Sequence, residues 1–108
     1  PEPLIFQLRE AGEIVVDLTV KNLAMSSAMA ITHKSNQEKD LQENSERITS
    51  RCIDLLRLLD PHKVKKHLEI LLDAIKGVGE GVKFLERWNY NHEQKIAIAE
   101  SINTVPEK

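Results

Sequence analysis

Residues Pro61–Ala99 read PHKVKKHLEILLDAIKGVGEGVKFLERWNYNHEQKIAIA, and this stretch decides the architecture. Val64, Leu68, Leu71, Ile75, Val78, Val82, Leu85, Asn89, His92, Ile96 and Ala99 recur in alternating steps of four and three. That rhythm is one face of an α-helix. Its phase passes straight through Gly77, Gly79 and Gly81, which a loop has no reason to preserve. Against continuity, each glycine inside a helix costs about 1 kcal/mol relative to alanine, and three cost about 3 kcal/mol. The expectation is one helix of about 42 residues, ~63 Å long, bent near Gly79. The alternative is a turn at residues 77–80.

Outward from this stretch, Asp60-Pro61 starts the helix: Asp60 caps it and Pro61 takes its first position. Upstream, Leu41, Ser45, Ile48, Cys52, Leu55 and Leu59 define a second helix. Ser35 with Glu38 forms a capping-box pattern at its start. The first segment carries Leu4, Leu8, Ala11, Val15, Leu18, Met25 and Met29 at helical spacing, widened by Ile5, Ile14, Leu23 and Ala28. No useful period-two alternation occurs. Residues 1–108 therefore read as one all-α domain. The architecture is an antiparallel up-down bundle of three long helices, or of four if the glycines turn the chain.

Composition narrows the function. Net charge is −2 with 41% hydrophobic and 30% charged residues, so no global field draws the chain to nucleic acid or anionic lipid. The single Cys52 excludes an internal disulfide and a cysteine-based zinc site, and fits a cytoplasmic setting. No run of consecutive apolar residues approaches the ~18 of a membrane span. No motif calls for a cofactor: Gly77-x-Gly79-x-Gly81 lacks the spacing of phosphate-binding loops.

Two surfaces stand out. Ala74, Gly77, Gly81, Phe84 and Trp88 share one flank, a smooth groove followed by an aromatic ridge where another backbone can approach. His62, Lys63, Lys66 and His67 crowd a helix N-terminus, where free N–H groups favour an anion. The leading expectation is a non-enzymatic interaction module. It would bind a protein partner's helix, or a second copy as a homo-oligomer, along the third helix.

Two family resemblances offer alternatives. The Glu-x-x-x-Asp pairs Glu13/Asp17 and Glu69/Asp73, on a long helical bundle, resemble the PhoU phosphate-signalling family. That resemblance implies a metal-binding regulatory bundle. Arg87 and His92, spaced Arg-x4-His, resemble the ribonuclease motif of HEPN-type helical domains. There a dimer pairs the two basic side chains for RNA cleavage.

Overall fold

The computed structural model describes residues 12–106. Five helices lie among them, and no strand: α1 (Glu13–Ser35), α2 (Lys39–Leu56), α3 (Pro61–Ile75), α4 (Val82–Trp88) and α5 (His92–Thr104). The all-helical bundle expected from the spacing is the fold. Its centre is α1, which packs against α2, α5 and α3, while α4 rests on α3.

The face α1 turns inward combines alanines and serines with Val16, Val20 and Leu23. Val16, Val20, Leu23, Ala24 and Ala28 are buried in the core cluster, and Ser26 and Ser27 lie beside them. The expected seam is corrected here. Leu4, Ile5, Leu8 and Ala11 lie outside the described residues. Of the rest, Val15 is half-buried, whereas Ile14, Leu18 and Met29 are exposed. Two helical stripes run along α1, and the three neighbouring helices pack on the one that holds the alanines and serines. The buried hydroxyls are satisfied. Ser27 donates to the Leu23 carbonyl at 2.7 Å and shares a 2.7 Å bond with Ser101 of α5. Ser26 shares another of 2.7 Å with Thr49 of α2.

The third long helix is not continuous. After α3, Gly77 adopts φ +88. Its N–H donates to the Ala74 carbonyl, and the N–H of Val78 donates to Asp73, the paired bonds of a Schellman cap. Gly79 also has positive φ, at +90. A second break follows α4, where Asn89 closes the helix in the left-handed region (φ 51). Asn91 then opens α5 with a reciprocal capping box: its side chain accepts from the N–H of Gln94, whose side chain accepts from the N–H of Asn91. Two breaks reset the register. Val78 and Ile96 are exposed, as are Asn89 and His92, and α5 buries Ile98 and Ile102 instead.

The remaining boundaries divide similarly. Asp60 caps α3 as expected, accepting from the N–H of His62 at 2.9 Å with Pro61 in the first turn. Ser35 does not cap α2. It belongs to the last turn of α1, Gln37 makes the bend at φ 60, and Glu38 precedes α2 without a side-chain cap bond. The apolar length also needs correcting. α1 is long and apolar enough to cross a membrane by length and composition, with half of its most apolar window buried inside the fold.

Gly77→Ala should destabilise by about 1–2 kcal/mol, the cost of forcing a Cβ into the left-handed region. No neighbour lies within 4 Å of that methyl, so the cost is conformational. Leu68→Ala should lose roughly 2–5 kcal/mol, whereas Lys65→Ala, on an exposed position of the same helix, should change little. Urea melts of the three variants check both statements; equal effects at Leu68 and Lys65 contradict the packing.

Candidate functional site

The expected glycine-aromatic flank is divided by the fold. Ala74 is buried, and Gly81 packs against it: a Cβ at Gly81 would lie 3.0 Å from the Ala74 Cβ and 3.2 Å from the Ile70 carbonyl oxygen. These two small residues bring α4 close to α3 within the chain. Gly77 is an exposed cap. Phe84 is half-buried against the core, with the Lys21 ammonium 5.7 Å from its ring centroid, a cation–π distance. Trp88 is 49% exposed and remains open to a partner.

The basic group on α3 meets carboxylates of the chain itself. Lys66 reaches Glu13 of α1 at 3.3 Å. His67, largely buried, sits between two acids: Nε2 is 3.7 Å from Glu13 and Nδ1 is 3.6 Å from Asp17. Nε2 is buried without a hydrogen bond. Lys21 adds a 3.0 Å pair with Asp17. The hydrogen bond and charge of Lys66, with a smaller push from His67, hold the Glu13 carboxyl below its ordinary 4.5. His62 and Lys63 do not join this cluster: His62 is exposed and its N–H is taken by Asp60. The cluster is a polar staple from α3 to α1. Its two ring nitrogens face different acids, so the three groups diverge instead of converging on one ion. Among the described residues no group of three or more His, Cys, Asp or Glu side chains is placed to hold a metal.

Of the pairs behind the two resemblances, Glu13 and Asp17 belong to this cluster, while Glu69/Asp73 and Arg87/His92 lie outside it. Glu69 and Asp73 lie on exposed positions of α3. Arg87 lies in the last turn of α4 and His92 starts α5, both exposed, with the Asn89–Asn91 turn between them. Cys52 is buried on α2, and burial pushes its thiol above the ordinary range, away from nucleophilic use.

A larger concavity than the recess beside Ser27 and Ser101 lies elsewhere. α3 and α5 each pack on α1, and between them and the end of α2 opens a cleft of about 510 Å³. Leu56, Leu59, Val64, Leu68, Leu72, Ile102 and Val105 form its apolar floor, with Lys65, Glu69 and Asn103 also in its lining. Arg57 fixes one end by donating from Nε to the Val105 carbonyl (3.0 Å) and from Nη2 to Thr104 (2.7 Å), which ties the last turn of α5 to the α2–α3 connection. Reading the chain as a single seam missed this cleft. Its signals were a second apolar row on α3, ending at Leu72 beside Leu71, and the four-three spacing of Ile98, Ile102 and Val105.

The described residues thus form a helical bundle with an apolar cleft between α3 and α5 and an ionic staple between α3 and α1. By sequence, the chain belongs to the family described as uncharacterised conserved protein UCP020893, matched over residues 1–105. No curated protein and no solved structure matches it.

Glu13→Gln tests the staple by its pH dependence. A depressed carboxylate contributes stability above its ordinary value and loses it as pH falls through the lowered one. The wild type should therefore shed this contribution below pH 4.5, and the variant should lack it throughout. Urea melts between neutral pH and about pH 3 should show the two chains converging in acid. A constant difference across the range contradicts the assignment.

Proposed function

We propose that this domain is a non-enzymatic interaction module that holds an amphipathic helix of a protein partner in the cleft between α3 and α5. The observation that carries the reading is the cleft itself: an apolar floor open on the bundle surface, with Lys65 and Glu69 one turn apart beside it. Helix-in-groove recognition needs this arrangement, an apolar trough for residues spaced three and four apart and charges alongside to set direction. The partner helix would carry an acid opposite Lys65 and a base opposite Glu69. The same reading keeps the domain in the cytoplasm, where its lone Cys52 stays reduced. The nuclease alternative at Arg87 and His92 draws no support from the cleft, and neither does a PhoU-like metal site.

The test is a library of displayed amphipathic helices selected on the whole chain. Affinity of the selected helices should fall at least about tenfold with Leu72→Glu, which puts a charge in the apolar floor. Lys65→Glu should reverse the preference for an acid at the facing position, and it touches only an exposed side chain. Loss with Trp88→Ala alone would move the site to the aromatic ridge of α4. Selection of no helix at either place overturns the reading.

A further inference from the structure

Among the described residues a second surface remains unpartnered, on the side of the bundle opposite α5. On α1, Ser27 and Ile31 point toward α5, where both border a recess shared with Ala97 and Ser101. Half a helical turn away lie Ile14, Leu18, Met25 and Met29, spaced four, seven and four. On α2, Glu46, Thr49 and Ile53 border the same recess, so Leu41, Ile48 and Leu55 occupy the opposite flank. The Ser26–Thr49 bond locks the two helices side by side. The two apolar rows therefore share one face of the α1–α2 pair. Five of these side chains are open: Ile14 71%, Leu18 56%, Met29 42%, Leu41 48% and Ile48 40%.

We propose that this face pairs two copies of the chain about a two-fold axis. Exposure of this kind amounts to roughly 500 Å² of contiguous apolar surface, the upper range for a monomer. A stable dimer buries about 800 Å² per partner, so such a face would supply the apolar centre and a polar border the rest. Beside the apolar row on α2, Arg47 and Arg51 stand against Asp40 and Asp54, all exposed. A self-pairing surface must not repel itself, and a balanced border meets that condition. The same balance disfavours an anionic lipid surface, which would select an excess of lysine and arginine. The inference does not rest on the α3–α5 cleft, which lies on another side of the molecule.

Light scattering and sedimentation equilibrium on the whole chain decide it. The wild type should have twice the chain mass, with a concentration-dependent monomer fraction. The double variant Leu18→Glu with Ile48→Glu should shift the equilibrium at least about tenfold toward monomer. Its circular dichroism should be unchanged, because both positions are exposed. Ile96→Glu, an equally exposed apolar site on α5, should leave the dimer intact. Leu72→Glu should also leave it intact, which separates this result from failure of the helix-binding reading. A wild type that stays monomeric at high micromolar concentration overturns the proposal. So does a double variant that remains dimeric, or a monomer that sediments with phosphatidylcholine vesicles.

Discussion

Two hydroxyl pairs set the distances on which the bundle depends. Ser26 meets Thr49 of α2 and Ser27 meets Ser101 of α5, each at 2.7 Å. A bond between such short side chains forms only when the two backbones come close, so each pair fixes a helix against α1. Proton counting adds direction. Ser27 gives its one hydrogen to the Leu23 carbonyl, so Ser101 must donate to Ser27. Gln94 works the same way at the start of α5: its amide nitrogen donates to the Ala28 carbonyl (3.2 Å) and to Thr32 (2.9 Å), while its oxygen completes the capping box. One side chain thus both begins α5 and docks it. With α2 and α5 held by hydroxyls on one side of α1 and α3 held by the His67 staple, the cleft between α3 and α5 is the space left over.

How much of this was legible in the sequence depends on which residues carried it. Asp60-Pro61 was read correctly because a cap and a proline act locally, and so was the buried row Val64, Leu68 and Leu71 of α3. The continuity beyond Ile75 misled because the residues spent in two turns happened to preserve a four-three count. Positive φ at Gly77 and Gly79 is a property of conformation, and spacing carries no trace of it. The second break did leave a mark, Asn91 followed three residues later by Gln94, a capping-box pattern weaker than serine with glutamate. The staple was half visible. The acids Glu13 and Asp17 and the bases Lys66 and His67 stood out separately, but their meeting depends on how α3 lies across α1. The cleft was least visible, since a cleft is a gap between rows of residues that each look like core.

The choice of face on α1 shows a general limit of hydrophobic periodicity. Val16, Val20, Leu23 and Ser27 recur at helical spacing as surely as Ile14, Leu18, Met25 and Met29. Hydrophobicity favours the second row and the fold buries the first. The reason is the number of neighbours. A helix with one neighbour gains from burying its largest side chains, but a helix packed by three gains more from letting all of them approach. Ala24 and Ala28 are fully buried because they take little room, and the area gained belongs to Leu56, Leu59, Leu68 and Ile98 opposite.

That choice has a consequence for the rest of the surface. A helix apolar on all sides belongs in the interior of a large protein or in a membrane. Here α1 is apolar enough for either, yet the four other described helices leave one side of it open. Within the described residues, covering that side would need a further element, and the connections are too short to release one. Residues 36–38 join α1 to α2, and residues 57–60 join α2 to α3. Polar substitutions at Ile14, Leu18 and Met29 would remove the exposure without disturbing the packed face, because none of the three belongs to the buried core. Among the described residues, the core cluster includes none of these large apolar side chains. The packed face explains how the described helices hold together, and the open face of large side chains is the one on which pairing of two copies is proposed.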